Sequence, residues 1–170
     1  MRQNVDWSFF MPKLRKTAVN IDRPAKIIGG INMQNKGTIL IVDDEPNILG
    51  VLEETFSYDY TILPAANGKE ALALLEKKLP DMIIADISMP FVDGFELLAN
   101  IRRQGLAAKI PLLFLTARGQ IADMEKGLKL GAYGYMVKPF LPTQLIAKVE
   151  EIFDKLKRRK SDKNREQALN

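Results

Sequence analysis

Five short apolar runs alternate with helical patterns between residues 38 and 157, and this alternation leaves the chain few folds to adopt. The runs are rich in β-branched and aliphatic residues and lack polar alternation, which is typical of strands covered on both faces. They are Thr38–Val42, Tyr60–Leu63, Met82–Ala85, Pro111–Leu115 and Tyr133–Val137. Strands that alternate with helices predict βαβ units and a parallel sheet with helices on both sides.

Each apolar run is followed by a segment whose apolar residues recur at helical spacing. Pro46 suits a first helical turn, and Asn67 and Asp93 stand where the second and third helices begin. The last two helices are predicted over Ile121–Leu130 and from Leu141 to about Lys157. We therefore expect an α/β fold, with a doubly wound five-stranded parallel sheet and five helices.

The 170-residue chain contains no histidine and no cysteine. This composition excludes disulfides, zinc fingers, cysteine nucleophiles and Ser-His-Asp triads. Any catalysis or metal binding must therefore use carboxylates, hydroxyls and lysines.

The net charge of +4 is unevenly distributed along the chain. Residues 1–35 and 154–170 each carry a net charge of +4, whereas residues 36–153 carry −4. The folded part is therefore acidic, and the basic residues at the end are expected to be a solvated helix end rather than a nucleic-acid site. No stretch approaches the roughly 18 consecutive apolar residues that a membrane span needs. Charged residues near the N-terminus interrupt the apolar segment that a secretory signal would require. We therefore expect a cytoplasmic protein.

Polar residues stand where four of the predicted strands end: Asp43 and Asp44, Asp86, Thr116 and Lys138. The carboxyl ends of parallel strands share one edge of a sheet, where such folds bind ligands. Strand ends and helix caps favour residues of these types, so a single one of them would need no functional explanation. Such local preferences explain poorly why five of them occur at one edge of the sheet. Clustered carboxylates need a cation or raised pKa values, and oxygen ligands suit Mg²⁺. A carboxylate beside Mg²⁺, Lys and Thr predicts phosphoryl transfer to an aspartate.

Four sequence motifs at these strand ends support a family resemblance. They are Val42-Asp43-Asp44-Glu45-Pro46, Asp86-Ile87-Ser88-Met89-Pro90 followed by Asp93-Gly94, Leu115-Thr116-Ala117, and Lys138-Pro139-Phe140. The segment Ile39–Phe153 resembles a two-component response-regulator receiver domain, a CheY-like domain with the flavodoxin-like fold. The resemblance divides the chain into an N-terminal extension (1–35), the receiver domain (36–157) and a basic C-terminal tail (158–170).

The resemblance implies a role for each matching residue. Asp86 would accept a phosphoryl group from the phosphohistidine of a histidine kinase or a histidine phosphotransfer protein. Asp44, Asp86 and the backbone carbonyl of Ser88 would bind Mg²⁺, with Asp43 acting mainly through water. Lys138 would pair with a phosphoryl oxygen and, on an exposed rim, would matter more for signalling than for stability.

The resemblance also implies a switch. Thr116 would hydrogen-bond another phosphoryl oxygen and move towards it, and Tyr135 would turn inward into the space that is left. Ser88 and Arg118 would flank the attacking water and tune the phosphate lifetime. The Lys138–Pro139 peptide bond resembles the cis bond of the family.

No helix-turn-helix pattern fits the residues after Phe153, so we expect a single-domain regulator that acts by protein contact. Its target would bind the face formed by the fourth helix, the fifth strand and the fifth helix. The receiver could also form a dimer that depends on phosphorylation. It would catalyse only its own phosphorylation and slow autodephosphorylation, and is no conventional enzyme. The alternative is the receiver portion of a larger regulator or hybrid kinase. Residues 1–32 would be a leader, or precede a true start at Met33.

Two other classes use similar residues. A haloacid-dehalogenase-like phosphatase also forms an aspartyl phosphate with Mg²⁺, but its nucleophile lies in an Asp-x-Asp run after the first strand. Here that run is Asp43-Asp44-Glu45, and the best nucleophile follows the third strand. A nucleotide-binding module would need a Gly-rich loop after the first strand, which is acidic instead.

Overall fold

The computed structural model describes residues 27–28, 31–32, 35–106, 110–117 and 122–168. Its strands are β1 (Ile27–Ile28), β2 (Ile31–Asn32), β3 (Thr38–Val42), β4 (Thr61–Ala65), β5 (Met82–Asp86), β6 (Leu112–Ala117) and β7 (Gly134–Lys138). Its helices are α1 (Pro46–Phe56), α2 (Gly68–Lys77), α3 (Gly94–Arg103), α4 (Ala122–Lys129) and α5 (Pro142–Ala168).

The five predicted strands form one parallel sheet in the order β4-β3-β5-β6-β7. Every residue of β3 and β5 is buried, as the continuous apolar runs predicted. The chain passes from β3 outward to β4 and then returns to the other side of β3, so the strand order reverses there. A crevice outside the carboxyl ends of β3 and β5 is the usual ligand site of such sheets. The predicted fold class is confirmed.

The helices that follow β4 and β5 begin at side-chain caps. Asn67 accepts a hydrogen bond from the backbone N–H of Glu70 at the start of α2. Asp93 and Glu96 form a reciprocal capping box at the start of α3. These caps fix where the two loops from the carboxyl edge enter their helices.

The main core cluster combines residues of the central strands with one face of α2 and of α3. Its most buried helical members are Ala71 on α2 and Leu97, Leu98 and Ile101 on α3. Helix α1 contacts β3 and β4, and helix α4 contacts β7. The sheet is therefore held by helices that pack apolar faces while its carboxyl edge keeps polar side chains.

The chain divides into two compact units, one ending at Pro139 and one beginning at Phe140. The second unit contains α5, in which Leu145, Val149 and Ile152 are buried. The prediction that this helix ends near Lys157 is wrong, since it continues to Ala168. The apolar stripe stops at Leu156, but no Gly or Pro follows to end the helix, and Lys, Arg, Gln and Glu are good helix formers.

A two-stranded antiparallel ribbon, β1–β2, lies within the predicted N-terminal extension. Met33 and residues 1–26 lie outside the described residues, so the division at residue 35 stays a prediction. None of the helices in the described ranges combines the length and the apolar character that crossing a bilayer requires.

Candidate functional site

Three carboxylates meet at the carboxyl edge of β3 and β5. Asp43 and Asp44 follow β3 directly, and Asp86 is the last residue of β5. Val42 pairs with Ala85, so both strands deliver their next residues to the same place. One carboxylate oxygen from each aspartate lies within 4.8 Å of the other two.

Lys138 brings an ammonium group into this cluster and forms ion pairs with two of its aspartates. Its Nζ lies 2.8 Å from Oδ2 of Asp43 and 3.6 Å from Oδ1 of Asp86. The side chain is only 12% exposed, so the expectation that it stands on an exposed rim is wrong. The cause is the fully buried carboxylate of Asp43, which needs a partner where water is excluded. The following Lys138–Pro139 peptide bond is cis, as the resemblance implied.

The carboxylate of Asp43 is fixed from two sides. Its Oδ2 faces Lys138, and its Oδ1 accepts a hydrogen bond of 3.0 Å from the backbone N–H of Glu45. Asp43 therefore holds the turn after β3 and the ammonium of β7 together. This pairing was missed at the sequence level, where Lys138 was assigned only to a phosphoryl oxygen.

The pKa of Asp86 is raised above its ordinary value. Burial is the largest cause, and the nearby carboxylates of Asp43 and Asp44 raise the pKa further. The ammonium of Lys138 and the backbone N–H of Ile87, which donates to Oδ1 at 2.9 Å, oppose this shift without reversing it. Burial and the neighbouring carboxylates therefore disfavour the ionised form of Asp86.

The donor set of the cluster fits Mg²⁺. It offers carboxylate oxygens only, and a hard cation that keeps several waters needs few protein ligands. Asp44 is half-buried and Asp86 is 6% exposed, so both stand at the boundary between protein and solvent. Asp43 and Asp86 both face the ammonium of Lys138, and a divalent cation would add positive charge beside Asp44 and Asp86.

Thr116 and Tyr135 lie on the two neighbouring strands at different depths. Thr116 is fully buried near the end of β6, one residue beyond Leu115, which pairs with Asp86. Its hydroxyl donates to the backbone carbonyl of Ala117 at 3.3 Å. Tyr135 is half-buried on β7, where it packs against the main core cluster rather than in the carboxylate cluster.

Of the two residues expected to tune phosphate lifetime, one lies among the described residues and the other does not. Ser88 is half-buried in the loop after β5, two residues beyond Asp86. Arg118 lies outside the described residues. Their roles, like those of the other site residues, stay predictions.

Gly94 matters for the site because it has no side chain. An added Cβ would lie 2.5 Å from the backbone oxygen of Asp86 and 2.9 Å from the ring of Phe114. The N–H of Gly94 donates to the carbonyl of Ile87 at 3.0 Å, which closes the loop back on β5. From the sequence, Asp93-Gly94 was interpreted as a loop that leads into a helix and as part of the family motif. The close backbone approach at Gly94 was missed, although a glycine is its usual signal.

Residues 39–150 match the sequence profile of the response regulator receiver domain. The chain belongs to this family. Receiver domains generally bind Mg²⁺ at an acidic pocket, and Asp43, Asp44 and Asp86 form an acidic cluster of this kind.

Curated relatives extend beyond the matched region. A protein of Guillardia theta described as probable transcriptional regulator ycf27 is 41% identical over 123 residues, which are 72% of this chain and 47% of that protein. A second ycf27 protein, from Cyanophora paradoxa, is 40% identical over 119 residues. The chain spans about half the length of these relatives.

Solved receivers share the fold closely. Chemotaxis protein CheY4 of Vibrio cholerae is 35% identical with a TM-score of 0.63, over 67% of this chain and 96% of that one. A putative response regulator from Chloroflexus aurantiacus is 38% identical with a TM-score of 0.65, over 69% and 98%. The receiver domain therefore functions in two-component phosphorelay signal transduction.

Proposed function

We propose that Asp86 is the phosphoacceptor of this receiver and that Asp44 and Asp86 bind Mg²⁺. The observation that supports this most is the position of Lys138 Nζ, which faces Asp43 and Asp86 at once. A cation beside the nucleophile is what a transferring phosphoryl group requires. The proposed donor is the phosphohistidine of a histidine kinase or histidine phosphotransfer protein.

The proposed reaction is an in-line transfer. One carboxylate oxygen of Asp86 attacks the phosphorus, a P–O bond forms, and the P–N bond to the donor imidazole breaks, with the electron pair leaving on nitrogen. Mg²⁺ would neutralise charge on the phosphoryl oxygens. Lys138 would pair with one of these oxygens and leave part of its contact with Asp43. Attack of water on the acyl phosphate would later release inorganic phosphate and restore the carboxylate.

The proposed metal ligands include the backbone carbonyl of Ser88, with Asp43 acting through water. Both oxygens of Asp43 already accept hydrogen bonds, from Glu45 and Lys138, which supports an indirect role. Asp44 and Asp86 lie where solvent can complete the coordination shell. Ser88 and Arg118 would set how readily water reaches the acyl phosphate.

The proposed output runs through Thr116 and Tyr135. The hydroxyl of Thr116 would exchange its bond to Ala117 for a phosphoryl oxygen, and Tyr135 would adjust its packing on the outer strand. Helix α4 contacts β7, and its Leu128 is exposed, so this surface is available to a downstream protein. We propose that the target binds there, in the cytoplasm, whether the receiver acts alone or within a larger regulator.

Uptake of one phosphoryl group from a small donor tests this function. The protein is incubated with acetyl phosphate and Mg²⁺, and its intact mass is measured before and after brief alkaline treatment. We expect one added group that alkali removes, that EDTA prevents and that Asp86→Asn lacks. Uptake that persists in Asp86→Asn would assign the reaction to another nucleophile, and continuous turnover of phosphate esters would indicate a phosphatase.

A further inference from the structure

Phe91 has an unusual backbone conformation and an almost fully solvent-exposed ring. Its φ of 69° is the only positive value among the described residues other than glycine, and the residue is 88% exposed. The N–H of Val92 donates to the carbonyl of Pro90 at 2.9 Å, which closes a three-residue turn around Phe91. Turns of this kind with positive φ are rare and strained, whereas glycine adopts them readily.

The residues around Phe91 are held firmly. Ile87 and Met89 are buried, and Val92 packs against the main core cluster. An added Cβ on Gly68, at the start of α2, would lie 2.5 Å from the backbone oxygen of Val92. The turn is thus built on fixed neighbours, and the strain at Phe91 is maintained by them.

The fold itself gains little from the phenyl ring, because the ring buries almost no surface. A bulky apolar side chain at a strained, exposed position adds cost to the isolated domain without adding core packing. Backbone strain of this kind tends to occur at functional sites. The benefit is therefore expected in a contact with another molecule.

The position of the turn relative to Asp86 indicates the kind of molecule that would make this contact. Phe91 lies in the loop that leaves β5 at Asp86, and the exposed residues between Ser88 and Asp93 are Pro90 and Phe91. Asp86 is 6% exposed, at the carboxyl edge of the sheet, so a phosphoryl donor must approach it over this edge. A protein that brings a histidine side chain to Asp86 must cover the surface around it.

We propose that Phe91 is a docking residue for the phosphohistidine-bearing protein that loads Asp86. The inference rests on the proposed phosphoacceptor role of Asp86 and adds a partner contact to it. The partner surface would be an apolar patch next to the phosphorylated histidine, in which the ring is buried. Aromatic residues at the centre of interfaces contribute strongly to binding.

The test compares a small donor with a protein donor. Phosphoramidate supplies a P–N bond but no protein surface. A phosphohistidine-bearing phosphotransfer domain that loads the wild-type chain supplies a P–N bond together with a protein surface. We expect Phe91→Ser to lower transfer from the protein donor at least tenfold at subsaturating donor, through a raised KM. Its rate with phosphoramidate should stay within twofold of the wild type.

Two further variants complete the experiment. Tyr58→Ser is the matched control, since Tyr58 is 69% exposed in the turn before β4, at the opposite edge of the sheet, and should change neither rate. Phe91→Gly should impair transfer from the protein like Phe91→Ser, yet raise the melting temperature because it relieves the strain.

Distinct results would overturn the proposal. Unchanged protein transfer in Phe91→Ser would exclude a docking role. Equal losses with both donors would show that Phe91 acts on the site itself. Phosphorylation of the wild type by both donors at a residue other than Asp86 would instead overturn the proposed function on which the inference rests.

Discussion

Lys138 Nζ lies 2.8 Å from Oδ2 of Asp43, a residue 95 positions away along the chain. The pair joins the end of β7 to the turn after β3, and its carboxylate is fully buried. Because Lys138 also faces Asp86, the same ammonium stabilises the fold and faces the proposed phosphoacceptor.

Lys138→Met should therefore destabilise the receiver as well as impair its phosphorylation. It leaves Asp43 buried without its cation, and loss of one partner of a buried pair costs about 3–5 kcal/mol of unfolding free energy. Urea denaturation at neutral pH without metal measures this loss. The double variant Lys138→Met/Asp43→Asn should recover part of it. Equal stability of Lys138→Met and the wild type would show that the pair does not hold the fold.

Asp86→Asn should stabilise the metal-free receiver at neutral pH. The pKa of Asp86 is raised in the folded state, mainly by burial, so its ionised form opposes folding. Removing that charge is expected to raise the melting temperature, because the neutral amide avoids the cost of burying an ionised carboxylate. A lower melting temperature of Asp86→Asn in EDTA would contradict this.

The stabilising effect of Asp86→Asn should also depend on pH in a defined direction. Between the unfolded pKa of about 4 and the raised folded pKa, the folded state binds more protons, so the contribution of Asp86 to stability falls as pH rises. The difference in unfolding free energy between Asp86→Asn and the wild type should be largest above the pKa that Asp86 has in the folded state. It should become smaller as the pH falls towards 4. Urea titrations at several pH values measure it, and Asp154→Asn, at an exposed position of α5, is the control. A difference that grows on acidification would reverse the assigned sign.

Mg²⁺ should stabilise the wild type and have little effect on Asp44→Ala. A ligand that binds only the folded state adds about 2.7 kcal/mol at 100 times its Kd. Thermal unfolding at increasing Mg²⁺ concentrations measures this stabilisation. Asp154→Ala is the matched control, because it removes one exposed carboxylate outside the cluster. Unchanged Mg²⁺ affinity in Asp44→Ala would remove Asp44 from the ligand set.

Gly94→Ala should disturb the loop that holds Asp86. The added Cβ would meet the backbone oxygen of Asp86 and the ring of Phe114, and overpacking of this kind costs about 1–3 kcal/mol. We also expect slower phosphorylation by acetyl phosphate. Gly50→Ala on α1 is the matched control, because nothing lies within 4 Å of its added Cβ, and alanine there should stabilise by up to about 1 kcal/mol. Equal behaviour of the two variants would argue against a special role for Gly94.

The sheet and the carboxylate cluster could be predicted because local patterns determine them. Thr38–Val42 is apolar throughout and ends at Asp43, so the sequence marks both a buried strand and the edge at which its next residue emerges. Parallel pairing then brings Asp86 to the same edge. The pair between Lys138 and Asp43 was missed because it depends on how deeply two distant side chains are buried, which spacing does not indicate.

Other features depend on backbone detail that sequence patterns carry weakly. The positive φ of Phe91 follows from how Ile87, Val92 and Gly94 fix the loop, and nothing in the identity of a phenylalanine predicts it. Helix α5 continues past Leu156 because local helix formers persist after the apolar stripe has ended. In both places, the local sequence allowed more than one outcome and the surrounding structure selected one.

Mapping the phosphorylated residue shows whether Asp86 is the phosphoacceptor. The protein is loaded with acetyl phosphate and Mg²⁺, the acyl phosphate is reduced with borohydride to homoserine, and the peptides are sequenced by tandem mass spectrometry. We predict homoserine at position 86 alone. Homoserine at position 43 or 44 with an unmodified Asp86 would show that Asp86 is not the phosphoacceptor.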